Sequence, residues 1–389
     1  MKRRTTLAGA AISSAVVVVL VAGTWAGAAP SVGGLRTVRV GPFPYAMALD
    51  ARTGHLLVVT EGQLKQDGSV SLLDAATGRL LRTVGVGAVP YAVTVDGRYG
   101  RLYVVNAQSK TVSVLDTRSG HVVTTLGPFL GLSGNFSRVP MAVSSPAVDA
   151  TAGRVFISTM AHRGPGGSSL FIFDAARLSR LRVLAAGPTA YGLAVDERTH
   201  HVFVLDLGTI AKRTGYVGGA ITMVAGATGR VLRQVRLAGA PLAIVVDGQR
   251  GHAFVLVRTG TVNTLAVLTT RGGRVVRTIP LGGADGPFVL AERLGHLFVA
   301  DDARVLMLDA RTGRVLRVTP VPHAVTALAV SERAGRVYLV HGQAASVSVL
   351  DARSGALTRT FGVVQDPTVV TVDDRTQRVF VASNDVSAG

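Results

Sequence analysis

Residues 90–106, PYAVTVDGRYGRLYVVN, read as a β-hairpin: two apolar runs joined by a turn that opens on Asp96 and ends on Gly100-Arg101. An Asp at the start of such a turn can accept hydrogen bonds from backbone N–H groups two residues on, and the Gly supplies a left-handed residue. The pattern recurs. An Asp or its substitute stands five residues before a basic residue at Asp50/His55, Asp96/Arg101, Asp149/Arg154, Asp196/His201 and Asp247/His252. Ala291/His296, Ser331/Arg336 and Asp373/Arg378 continue the series.

Successive copies are 40–53 residues apart, a period that signals a solenoid or a propeller. A second hairpin follows the first, typified by residues 111–126, TVSVLDTRSGHVVTTL, with related copies starting near Ser69, Ser169, Ala220, Leu265, Val305 and Ser346. Each repeat therefore holds four short strands, A to D. Strands such as Leu102 to Val105 are apolar on both faces, so each sheet needs a cover on both sides. Four-stranded antiparallel sheets packed face to face around an axis meet that need, which makes the expected fold an all-β propeller.

The strings Tyr103-Val-Val-Asn106 and Thr111-Val-Ser-Val-Leu-Asp116, with the recurrent Gly-x-x-Pro, resemble the YVTN repeats of bacterial and archaeal surface propellers. The resemblance spans about residues 36–389 and implies an exported or surface protein. That family is commonly seven-bladed. Here there are eight A–B hairpins and seven C–D hairpins, and Leu35 to Val40 resembles an outer D strand. Pairing that strand with the C-terminal hairpin favours eight blades, the last lacking a strand. Seven blades with a spare hairpin is the alternative.

Residues 1–29 read separately from the propeller domain at 30–389. Lys2, Arg3 and Arg4 precede an apolar stretch, and Ala26-Gly27-Ala28 offers an A-x-A site, so the segment reads as a signal peptide. An uncleaved membrane anchor is the rival, and it is the only membrane contact expected. Sec or Tat export, cleavage and oligomeric state are left open.

The rest of the composition fits a large apolar core. Hydrophobic residues make up 48% and charged residues 16%, with 46 Gly to serve tight turns. With no Cys there are no disulfides, thiolate metal sites or cysteine nucleophiles. The formal charge is +18, and without Lys2, Arg3 and Arg4 there remain 38 basic against 23 acidic residues. Such a surface attracts polyanions. Nucleic acid is not expected, because the arginines recur at turns without aromatic interleaving.

An antiparallel meander sends every B–C and D–A loop to one face. That face receives the long insertions Thr60 to Gly68, Phe129 to Pro146, Thr159 to Ser168 and Asp206 to Gly219, all on blades one to four. Long loops on a rigid scaffold are where binding tends to sit. Candidate ligand-binding residues are therefore Asn106, Asp206, Asp301 and His341 at B-strand ends, with His162, Arg163, Lys212 and Arg213 in the insertions. No catalytic residue, metal site or cofactor is assigned, because no compact ligand motif or nucleophile elbow appears. Quinone-cofactor dehydrogenases resemble this repeat but carry a docking Trp in it, and the single Trp here, Trp25, lies in the leader. The function expected is a binding scaffold for a protein, glycan or anionic wall polymer. The alternative is a small-molecule hydrolase or lyase with a metal-assisted site at the channel mouth.

Overall fold

The computed structural model describes residues 15–21, 35–62, 67–129, 146–159, 168–211, 215–284, 286–301 and 303–384. Seven four-stranded antiparallel blades are wound in chain order from Pro44–Asp50 to Leu357–Gly362, and an eighth four-stranded sheet joins the two ends of the chain. Each blade's A strand packs on the next, and Pro367–Asp373 returns to Pro44–Asp50, so the ring is closed. The described residues include no helix, and none that is long and apolar enough to cross a membrane.

The closing sheet corrects one expectation. It runs Pro367–Asp373, Arg378–Ser383, Ala15–Val21, Leu35–Val40, so it has four strands rather than three. Leu35–Val40 is the outer strand, as expected, but it does not pair with the C-terminal hairpin. Ala15–Val21, an apolar stretch near the N-terminus, lies between them and pairs with both. An apolar extended segment in that position satisfies the inner edges of two strands that would otherwise leave backbone donors and acceptors unpaired.

The B strands carry the core. His55–Thr60, Arg101–Asn106, Arg154–Thr159, His201–Asp206, Arg336–His341 and Arg378–Ser383 are buried at every position after the first. Their third residue is often the largest buried side chain of the blade: Tyr103, Phe156, Phe203, Phe254, Phe298 and Phe380. The clusters run between blades; Leu56 and Val58 of the first blade pack with Phe380 and Ala382 of the last. Each such side chain contributes about 1.5–3 kcal/mol. Exposed ion pairs contribute only ~0–1 kcal/mol, so packing between sheets holds the ring.

The A–B turns follow the sequence reading. Asp50 Oδ1 accepts the Arg52 N–H at 2.9 Å, and Asp96 Oδ1 accepts those of Arg98 and Tyr99 at 3.0 and 3.2 Å. The residue before the basic position is left-handed in all eight turns: Gly in six, His200 (φ 56°) and Gln377 (φ 58°) in the others. Left-handed backbone costs a residue with a Cβ about 1–2 kcal/mol, partly offset by the larger unfolded freedom of Gly. Gln377→Gly should therefore raise stability by about 0.5–1 kcal/mol in a denaturant titration.

The basic residue after the turn does something other than pair with its own Asp. In five of the eight blades it reaches the C–D turn of the next blade. His55 Nδ1 lies 2.8 Å from the Thr117 carbonyl, His201 Nδ1 2.8 Å from that of Thr270 and His296 Nδ1 2.9 Å from that of Ala352. Arg101 donates to Ala175 and Ala176, and Arg378 crosses the closure to Ala75 at 3.1 Å. Acidic residues bolt the other way. Glu197, Glu292 and Asp374 each accept a turn N–H of the preceding blade, from Ala150, Gln249 and Arg333, at 3.0 Å.

Candidate functional site

The loop face is built at the ends of the B strands, where the strand leaves the sheet and its last side chain meets the loop backbone. Four residues nominated from the sequence lie at or just past these ends, and each is committed to structure. Asp206 is nearly fully buried, and its Oδ1 accepts the N–H groups of Thr189 (2.9 Å) and Gly208 (3.0 Å). It thereby ties the D–A loop before it to the long B–C loop after it. Burial pushes its carboxyl above the usual range, and the two N–H donors only partly oppose that.

Asn106 donates through Nδ2 to Thr111 Oγ1 (3.0 Å) and Ser113 Oγ (2.9 Å), closing the short loop that follows it. Asp301 folds back on its own loop: Oδ1 accepts Ala303 N–H (3.0 Å) and Arg304 N–H (2.9 Å), and Oδ2 accepts Arg304 Nε–H (2.7 Å). Burial pulls that carboxyl up, but these donors and the Arg304 charge outweigh it and hold it below the usual range. His162, Arg163, Lys212 and Arg213 lie outside the described residues.

His341 is fully buried. Its Nε2 is 2.8 Å from Ser348 Oγ, which is 2.7 Å from Thr360 Oγ1, while Nδ1 faces the Ala324 carbonyl at 3.2 Å. Burial pushes its pKa down. The unfolded chain then takes up this proton first as pH falls through about 6.5. The His341 contribution is complete above that pH and shrinks as pH drops toward the depressed folded value. His341→Gln should flatten this part of a Tm-against-pH curve.

The four residues stand on blades two, four, six and seven and do not converge. Among the described residues no group of three His, Asp or Glu side chains is placed to hold a metal ion. Of the four, His341 has a second histidine beside it: its ring centroid is 5.9 Å from that of His323. His323 borders a cleft of about 620 Å³ that lies against the outer strand of blade seven, with Pro320, Ser346, Thr360 and Phe361.

The long-loop sector has structure of its own. The insertion between Asp206 and Ala220 forms a two-stranded hairpin, Thr209–Ala211 with Gly215–Val217, standing on the rim of blade four. Leu207 is buried in the core cluster, Tyr216 packs against it, and Val217 is exposed. On blade two the start of the D–A insertion is pinned by Phe129, whose ring packs edge-on to Phe171 (4.8 Å) and Phe173 (5.9 Å) of blade three. The insertions thus leave from fixed roots.

The excess charge is concentrated on the outside of the ring. None of the eight outer strands contains Asp, Glu or Lys, and seven contain Arg. Arg82, Arg182, Arg233, Arg277 and Arg317 are exposed at equivalent register, opposite Leu72, Ile172, Met223, Val267 and Met307. Their stems lie over a left-handed Gly in the next blade's C–D turn: a Cβ at Gly120, Gly229, Gly273, Gly313 or Gly355 would fall 2.6–3.2 Å from the arginine Cδ. This rim was missed in the sequence because the arginines were read with the turns. Their recurrence four residues after the left-handed C–D residue, at Gly78, Leu178, Gly229, Gly273 and Gly313, was the available signal.

No family model matches the sequence, and no curated protein matches it. Among solved structures the chain is similar to the computationally designed Ika8 protein, at TM-score 0.64 and 17% identity over 88% of this chain and 96% of that one. It is also similar to Saccharomyces cerevisiae Sqt1, at TM-score 0.66 and 12% identity over 89% and 94%. The Kuenenia stuttgartiensis hydrazine synthase gives TM-score 0.56 and 13% identity over 88% and 93%. At these identities the likeness is one of fold.

Proposed function

We infer that this propeller, of the YVTN-repeat kind, is an exported or surface-tethered scaffold that binds an anionic wall polymer, a glycan or a protein through the long-loop face of blades one to four. The observation that carries the reading is the grouping of the long insertions. They fall on one face of four consecutive blades, from roots fixed by Phe129 and Asp206, while the opposite turns are short and stereotyped. A rigid scaffold that varies its loops in one sector has the build of a recognition surface. The leader pattern of residues 2–28 supports export. The arginine-only outer rim supports an anionic partner, because exposed guanidiniums attract polyanions at long range.

The test is co-sedimentation of the purified chain with cell-wall sacculi from its host, across a salt series. Retention that weakens as salt rises supports an anionic polymer. Retention unaffected by salt points to a neutral glycan or protein in the wall. No retention at low salt overturns the wall reading. The mass of the chain recovered from the host reads out the leader.

A further inference from the structure

The closing blade differs from the others in how its third strand arrives. In the seven blades wound in order, strand C follows strand B along the chain. In the eighth it is Ala15–Val21, hydrogen-bonded in antiparallel register on both edges, Val16 to Val21 opposite Ser383 to Arg378 and Ala15 to Leu20 opposite Val40 to Leu35. This same segment is the apolar stretch of the leader, upstream of Ala28.

The two flanking strands are held in place without it. Arg378–Ser383 is a buried B strand with a full A-strand partner in Pro367–Asp373. Leu35–Val40 is anchored outward: Val38 and Val40 pack against the cluster containing Leu56, Val58, Phe380 and Ala382, and Arg36 Nη1 donates to the Thr77 carbonyl of blade one. Removing Ala15–Val21 therefore leaves a position one strand wide, between two rows of backbone N–H and C=O groups and between two packed neighbouring blades. Such a row is a template for strand addition.

We propose that the third position of the closing blade is a strand-acceptor slot, taken in the processed chain by an extended, Val- and Leu-rich segment of a partner protein. Ala15–Val21 shows what fits: about six residues, without Pro, antiparallel to both neighbours, apolar on both sides because blades flank the sheet. The proposal rests on the leader being removed, and its test does not.

A protease site placed within residues 22–34 of the full chain allows the connection to be cut after folding. The probe is a labelled peptide of the sequence of residues 15–21 with lysines at its ends for solubility. Before cutting, the slot is filled and no peptide should bind. After cutting, native mass spectrometry should show one labelled peptide per chain replacing the released segment, with a Tm that rises with peptide concentration. The same peptide with Pro at its centre should not bind. Equal uptake by the uncut chain overturns the proposal, as does a cut chain that refuses the peptide because its own segment stays or Leu35–Val40 moves inward. A dimer that swaps leader segments replaces the partner with a second copy and overturns it too. If the exchange succeeds and the chain from its host still carries residues 1–28, it is the removal of the leader that fails, and the slot is filled by the chain's own segment in the cell.

Discussion

Phe298→Ala should lower the stability of the ring by about 3–5 kcal/mol, the usual cost of emptying a large aromatic site in a packed core. Phe298 is fully buried in the B strand of blade six and belongs to the cluster shared with Val337, Leu339 and Leu350 of blade seven. The cavity would open between two sheets, each braced by its own hydrogen bonds, so little collapse can relieve it. Val276→Ala, on an outer strand and 55% exposed, is the matched control and should change stability by about 0.5 kcal/mol or less. Denaturant midpoints compare the two. A small loss at Phe298 would mean that the turn bolts, rather than packing between blades, hold the ring.

Gly208→Ala carries the second large effect, and it links the scaffold to the loop face. Gly208 has φ +85°, and a Cβ there would sit 2.1 Å from the Val217 carbonyl oxygen and 2.8 Å from the Gly218 carbonyl carbon. Both are backbone atoms and cannot swing aside. The left-handed conformation alone costs roughly 1–3 kcal/mol, and the clash forces the hairpin Thr209–Ala211/Gly215–Val217 to move. Gly218→Ala makes a clean comparison, since it is also left-handed (φ +73°) but would meet nothing within 4 Å. Its cost should be about 1–2 kcal/mol with the hairpin in place. If the hairpin is part of the binding surface, Gly208→Ala loses wall retention tenfold or more and Gly218→Ala keeps it. Equal retention by both would remove this hairpin from the surface.

Much of the fold could be read along the chain because the repeat states its own physics. Asp96 announces a turn, Gly100 its left-handed residue, and the double-sided apolarity of Leu102 to Val105 a sheet covered on both faces. His200 and Gln377 take the left-handed position without being Gly, which a reading that assigns that position to Gly does not foresee. What stayed hidden was contact between repeats. His55 meets a carbonyl of Thr117, 62 residues on, and a backbone acceptor leaves no mark in the sequence. The interchange of His and Arg after the turn was a trace of it, since both offer an N–H to a neighbour.

The site was less legible than the fold, and for a physical reason. Residues at strand ends must satisfy the loop backbone, so Asp206, Asn106 and His341 look functional by type while Asp206 Oδ1, Asn106 Nδ2 and both ring nitrogens of His341 are engaged within the protein. The closing blade was misread as incomplete because one apolar stretch fits two roles. Ala15–Val21 has the composition of a leader core and also that of a buried central strand.

The most direct test of the account compares the intact chain with a variant whose four insertions on blades one to four are replaced by short turns, in co-sedimentation with host cell-wall sacculi. The short B–C turns and D–A connections already present on the other blades supply the replacements. The account predicts that the trimmed ring keeps its Tm within a few degrees and loses retention at least tenfold. A trimmed ring that is retained as well as the intact chain would contradict it.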